Sequence, residues 1–125
     1  MRRLAIFAAC LWLLSQGAQA QVAPCGVVGA RPYAEESITV STTSIGFTST
    51  VYNNGIATVA YARVQLQADS IYARDTGAAA TNTAPVLSTT NVAPYFFVCG
   101  QYSVQRFQAL RVTTDATLRV TYIGF

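Results

Sequence analysis

The stretch IATVAYARVQL, residues 56–66, decides the fold that the sequence predicts. In an extended chain Val59 and Tyr61 point to one face, whereas Ala62 and Val64 point to the other, because successive side chains of a strand alternate between its faces. Both sets are apolar, so the pattern predicts a long strand that is buried on both sides for part of its length.

The alternation of apolar and polar residues continues on the N-terminal side of this strand. Ile38 and Val40 begin it, and residues 45–51 carry it to the sequence YNNGI, residues 52–56. Asn and Gly tolerate the positive φ of a tight turn, so we expect this segment to join the flanking runs as a β-hairpin. Further strands are predicted over residues 70–73, 86–88, 95–99, 101–112 and 117–123, with a bulge or a short helical turn near Arg106 as the alternative within residues 101–112.

These segments define the fold class. Seven to nine short strands, at a spacing of roughly 8 to 12 residues, indicate an all-β protein, and we expect an antiparallel β-sandwich of the jelly-roll or immunoglobulin-like type. The small and polar sequence DTGAAATNTAP, residues 75–85, predicts an exposed loop. Since no linker or internal repeat divides the rest of the chain, residues 21–125 are expected to form a single domain.

Residues 1–20 have the pattern of a secretory signal peptide. Arg2 and Arg3 precede an apolar run, and the sequence AQA, residues 18–20, is a small-x-small cleavage site. The apolar run is shorter than the roughly 20 residues that a transmembrane helix needs. We therefore expect cleavage after Ala20, export to the periplasm, the cell surface or the medium, and no integral membrane span in the mature chain.

Removal of this leader changes the cysteine count and the charge. Cys10 leaves with it, and Cys25 and Cys99 remain as an even pair, which predicts a disulfide in an oxidising compartment. The formal net charge falls from +3 to +1, because six Arg then face five acids. With no Lys and no cluster of Arg, the mature domain is not expected to bind nucleic acid.

The sequence predicts no enzymatic activity, no metal and no cofactor. It has no His, and His is the most frequent general base and the commonest metal ligand. Asp69 and Asp75 are the alternative, because two carboxylates that met across a loop would resemble a glycosidase pair. As turn or cap residues beside Ser70 and Gly77, they would have no catalytic role.

An aromatic block marks the candidate interaction surface. Tyr95, Phe96 and Phe97 follow one another just before Cys99. Aromatic side chains provide a large contact area at a small entropy cost, so an exposed block would bind a partner subunit or a glycan. The alternative is that the block packs in the core.

Several short motifs stand in the C-terminal half of the mature chain. They are SIYARDTG at residues 70–77, a Thr- and Ala-rich loop to Pro85, VL at 86–87, FQAL at 107–110 and LRVTY at 118–122. In these motifs the sequence resembles small all-β virion proteins of tailed bacteriophages and prophages. The resemblance implies a non-enzymatic structural or binding module that associates with protein subunits, and it assigns no catalytic residue. Together with the leader, it implies a relative that acts at the cell envelope or in the virion.

Two other classes of protein fit the same sequence features. A pilus or adhesin subunit would explain export, the Cys pair and the Thr-rich strands, and it would complete its sandwich with a neighbour's strand. A secreted glycan-binding domain would use the aromatic block as its contact surface.

Overall fold

The computed structural model describes residues 23–88 and 95–125. The predicted leader and its cleavage site lie outside these residues. A 3₁₀ turn, Pro24–Gly26, precedes seven strands and two short helices. The strands are β1 (Arg31–Val40), β2 (Val59–Gln67), β3 (Ile71–Arg74), β4 (Val86–Leu87), β5 (Phe96–Cys99), β6 (Gln108–Arg111) and β7 (Ala116–Gly124), and the helices are α1 (Ser49–Tyr52) and α2 (Gln101–Arg106).

The strands form two antiparallel sheets that pack on each other. One has the order β1-β7-β2-β5 and the other the order β4-β3-β6. The predicted all-β, antiparallel β-sandwich is therefore confirmed. β2 lies between β7 and β5, and its residues are buried on both faces near its start, as the alternation over residues 56–66 predicts.

The core lies between the sheets and is built from the inward-facing positions of the central strands. Val64 lies opposite Val120, and Leu66 lies opposite Leu118. Ile71 and other residues of the second sheet join the same buried cluster. Burial of each such aliphatic side chain contributes roughly 1.5 to 3 kcal/mol, so this row of contacts holds the two sheets together.

The predicted hairpin around residues 52–56 is wrong. Within residues 45–51 only Ile45 pairs with another strand segment, by an isolated bridge to Ala109, and the chain then forms α1. Phe47 instead turns into the core, where its ring stacks on that of Phe107 with 4.4 Å between centroids. The segment thus bridges to the edge strand β6 at Ile45 and packs Phe47 into the core, instead of pairing with a neighbouring strand along its length. The turn itself is present, since Asn54 Oδ1 accepts a hydrogen bond from the amide of Ile56 at 2.9 Å.

Residues 101–112 follow the alternative that the sequence leaves open. They form α2 and then β6, rather than one strand. α2 begins after Gly100, whose φ of 91° directs the chain away from β5, and Val104 anchors the helix in the core. The loop over residues 75–85 is also confirmed, although Ala80 and Ala84 within it are buried.

The predicted disulfide between Cys25 and Cys99 is present. The two Cα atoms are 5.4 Å apart, and 74 residues of sequence separate them. The bond fixes the 3₁₀ turn to the last residue of β5. It therefore ties the start of the described chain to an edge strand of the larger sheet.

Candidate functional site

The aromatic block divides between the two faces of β5. Tyr95 and Phe97 lie on the outer face, with 44% and 42% of their surface exposed. Phe96 faces inward, is half-buried, and packs near Phe107 with 6.2 Å between ring centroids. Both alternatives for the block thus hold for different residues: Phe96 belongs to the core, and the other two form what we call the aromatic strip.

Neighbouring side chains hold the aromatic strip in place. The guanidinium carbon of Arg63 lies 5.0 Å from the centre of the Tyr95 ring, a cation–π geometry. Arg63 also lies directly opposite Phe97 in the sheet. The ring of Phe97 meets the edge of Tyr61 with 6.0 Å between centroids. These contacts restrict both rings while leaving a large part of each exposed.

A groove of about 420 Å³ runs beside the strip on the outer face of the larger sheet. Sheet register places its side chains in two cross-strand rows. Thr121 lies opposite both Glu35 and Arg63, and Arg119 lies opposite both Ser37 and Gln65. We call this the outer groove; its outward-facing side chains are those of Glu35, Ser37, Arg63, Gln65, Tyr95, Arg119 and Thr121.

The two guanidinium groups of the outer groove make no ion pair with any described residue. Over residues 23–88 and 95–125, the ion pair is that of Arg111 with Asp115, at 2.7 Å. Arg63 and Arg119 are diagonal neighbours on adjacent strands, a spacing of roughly 7 to 8 Å. Glu35 is a diagonal neighbour of Arg119 on the other side of β7. The outer groove therefore carries two guanidinium groups and one carboxylate, a formal charge of +1, with no ion pair among them.

Asp69 is engaged in structural hydrogen bonds. Its carboxylate accepts bonds from the Ser70 amide at 2.7 Å, from the Thr113 hydroxyl at 3.2 Å and from the Thr114 hydroxyl. The bond from Thr114, followed by that from the Ser70 amide, holds the pKa of Asp69 below its ordinary value. Asp69 thus ties the turn before β3 to the turn before β7.

The structure does not bring Asp69 and Asp75 together. Asp69 precedes β3 and Asp75 follows it, and a strand rises roughly 3.3 Å per residue. The two carboxylates are therefore at opposite ends of β3, too far apart for the paired acid chemistry that the sequence alternative required.

Glu36 also has a structural role. It lies on the inner face of β1, where its carboxylate accepts hydrogen bonds from the Tyr122 hydroxyl and from the Thr48 amide, the latter at 3.0 Å. Burial of Tyr122, together with this bond to the Glu36 carboxylate, raises the pKa of the phenol well above its ordinary value. The Tyr122 hydroxyl therefore stays protonated and acts as a fixed donor.

Sequence reasoning identified the aromatic strip but missed the outer groove. The signal was present as polar residues two apart, at positions 35 and 37, 63 and 65, and 119 and 121. Such pairs indicate a solvent-facing side of a strand. Only the strand order, with β1, β7 and β2 side by side, shows that the three pairs share one surface.

Comparison with known proteins identifies no relative. No protein family, no curated protein and no solved structure matches the chain. Over the described residues, no group of three or more His, Cys, Asp or Glu side chains is placed to hold a metal ion. Within the same residues, no helix has the length and apolar character that crossing a bilayer requires.

Proposed function

We propose that this protein is an exported, non-enzymatic binding module that associates with a protein partner through the aromatic strip of Tyr95 and Phe97. The exposure of these two rings, Phe97 on the edge strand β5 and Tyr95 just before that strand, is the observation that carries the proposal. Aromatic and Arg side chains dominate the energetics of protein interfaces, and Arg63 stacks on Tyr95 within the same surface. The partner is a subunit of a virion or of a cell-surface assembly, as the resemblance to small phage virion proteins implies.

Export is supported by the disulfide and the leader pattern together. Disulfides persist in oxidising compartments and are rare in the cytosol, and Cys25 is bonded to Cys99. The leader pattern of residues 1–20 would deliver the chain to such a compartment. Intact-mass measurement of the secreted protein under non-reducing conditions tests both points. A chain that begins at Gln21 with no free thiol supports export, whereas a chain that begins at Met1 or carries two free thiols contradicts it.

A non-enzymatic role is supported by what the acids already do. Glu36, Asp69 and Asp115 each hold a hydrogen bond or an ion pair that stabilises the fold. These contacts give each of the three carboxylates a structural role. The remaining acids of the mature chain are Glu35 and Asp75. Glu35 lies on β1 of the larger sheet, and Asp75 lies in the loop that follows β3 of the smaller sheet.

Site-specific photo-crosslinking tests association through the strip. A photoreactive phenylalanine analogue is placed at position 97 in cells that export the protein, and the same analogue at position 102 serves as a matched control. Tyr102 is also an exposed aromatic residue that stacks under an Arg, with the Arg106 guanidinium carbon 4.0 Å from its ring centre.

The two positions give opposite expectations. A discrete adduct with one protein, formed from position 97 and lost when Tyr95→Ser is added, supports the proposal. No adduct from position 97, or equal adducts from positions 97 and 102, would contradict it.

A further inference from the structure

On the floor of the outer groove, a ligand would contact side chains rather than backbone groups. β7 is paired on both sides, with β1 and β2, and β2 is paired on both sides over Tyr61–Val64, where β5 lies opposite β7. The N–H and C=O groups of β7 and of this part of β2 are therefore used within the sheet. An extended peptide that binds to a sheet depends on free backbone groups at an edge, and this part of the floor provides none.

The side chains above that floor have the chemistry of carboxylate and hydroxyl recognition. Arg63 and Arg119 supply planar guanidinium groups, which bind carboxylates by two parallel hydrogen bonds. Gln65, Ser37 and Thr121 supply amide and hydroxyl groups that both donate and accept. One cross-strand row runs from Glu35 through Thr121 to Arg63, so Glu35 adds an acceptor at the end opposite Arg63. A ligand that satisfies all of these groups needs an anionic carboxylate and several hydroxyls.

Arg63 is fixed before any ligand arrives. Its guanidinium stacks on the Tyr95 ring, which restricts a side chain that otherwise loses much rotational freedom on binding. Tyr95 is in this respect a positioning residue for Arg63. The volume of about 420 Å³ falls within the range of small-molecule sites and matches a short saccharide.

From these observations we infer that the outer groove is a binding site for a carboxylate-bearing saccharide, held by Arg63 and Arg119 at its acid group and by Ser37, Gln65 and Thr121 at its hydroxyls. This site is additional to the association proposed for the aromatic strip. It uses the face formed by β1, β7 and β2 and shares Arg63 and Tyr95 with the strip, whereas Phe97 on β5 belongs to the strip alone. Uronic and sialic acids share the required chemistry, and the experiment separates them.

The test uses the mature, disulfide-bonded protein on an array that displays uronic-acid glycans, sialylated glycans and neutral glycans of similar size. We expect retention on one or both acidic sets and none on the neutral set. The tightest glycan is then titrated by calorimetry against Arg119→Gln and Arg63→Gln, each of which should weaken binding about tenfold or more, since a hydrogen bond to a charged group is lost. Phe97→Ser should leave glycan affinity unchanged, which separates this site from the strip.

Two controls make the result decisive. Arg74→Gln removes the same charge from the smaller sheet and should leave affinity within about twofold, as expected for a charge distant from the ligand. A tetraglutamate peptide supplies carboxylates without hydroxyls and should bind at least about tenfold more weakly than the glycan. Equal binding of tetraglutamate, an equal loss with Arg74→Gln, or no retention on any acidic glycan would overturn the inference.

Discussion

The Tyr122 hydroxyl donates a hydrogen bond to the carboxylate of Glu36 on the inner face of the larger sheet. The same carboxylate accepts the Thr48 amide, so one acid joins β1, β7 and the segment that leads into α1. The Tyr122 ring is fully buried and meets the rings of Phe47 and Tyr52 edge-on, with centroid distances of 5.8 and 5.5 Å. These contacts fix the segment around Phe47 and Tyr52, which the sequence predicted to be part of a hairpin.

Tyr122→Phe should destabilise the fold by about 1 to 3 kcal/mol, because Glu36 then loses a donor in a partly buried site. Urea unfolding of the disulfide-bonded protein measures the change. Glu35→Gln is the control. The Glu35 side chain is next to Glu36 in sequence but is exposed on the outer face, and a surface substitution should change stability by less than about 0.5 kcal/mol. An equal loss in the two variants would contradict the structural role of Glu36.

The Cys25–Cys99 bond should contribute about 2 to 5 kcal/mol, because it closes a long loop in the unfolded chain. Replacing both residues, Cys25→Ser with Cys99→Ser, should lower the free energy of unfolding by that amount. Thermal unfolding with and without reductant provides the measurement. Reductant should destabilise the natural chain and leave the double variant unaffected, and an unchanged melting temperature for the reduced natural chain would argue against a stabilising bond.

Asp69 should make stability depend on pH. Its pKa is lowered in the folded state by the Thr114 hydroxyl and the Ser70 amide, so its contribution is present above the unfolded pKa of about 4 and is lost as the pH falls through the folded pKa. Asp69→Asn should therefore be less stable than the natural chain near neutral pH, and the difference should shrink in strong acid. Urea unfolding at a series of pH values tests this. A stability difference for Asp69→Asn that stays constant over the pH series would contradict the assignment.

Gly124 near the end of β7 should not tolerate a side chain. A Cβ atom there would collide with the carbonyl of Thr58, whose carbon would be only 2.8 Å away. Thr58 cannot move aside easily, because its amide and carbonyl both bond to Phe125, at 2.8 and 3.1 Å. Gly124→Ala should cost about 1 to 3 kcal/mol or more, measured by urea unfolding. Thr121→Ala, on the outer face of the same strand, should cost far less, and equal costs would show that the clash is relieved.

The sequence allowed most strands to be predicted, because alternation is a local property. β2, β3 and β7 follow from the apolar positions at residues 56–66, 70–73 and 117–123. The segment around Phe47 could not be assigned in this way, because the Phe47 ring packs on Phe107, sixty residues later. The alternation of apolar and polar residues does not indicate contacts between residues so far apart in sequence. The first half of β1 was missed for a related reason: Glu36 occupies an inward position and interrupts the apolar pattern.

The candidate site was less predictable than the fold. The pairing of Cys25 with Cys99 could be predicted from the cysteine count, because these are the two cysteines that remain once the predicted leader is removed. The aromatic strip was visible as a run of rings, but which rings are exposed depends on the face that β5 turns to the core. Arg63 and Arg119 stand 56 residues apart in sequence, and only the pairing of β2 with β7 makes them neighbours.

The proposed association of the aromatic strip with a protein partner is tested most directly by the affinity of that partner for variants of the strip. The partner is first identified by crosslinking from position 97. Calorimetry with this partner should then show that Phe97→Ser weakens binding at least about tenfold, as expected when a central aromatic contact of an interface is removed. Tyr102→Ser, which removes a more exposed aromatic side chain outside the strip, should change Kd by less than about threefold. An unchanged Kd for Phe97→Ser, or the same loss for both variants, would contradict association through the strip.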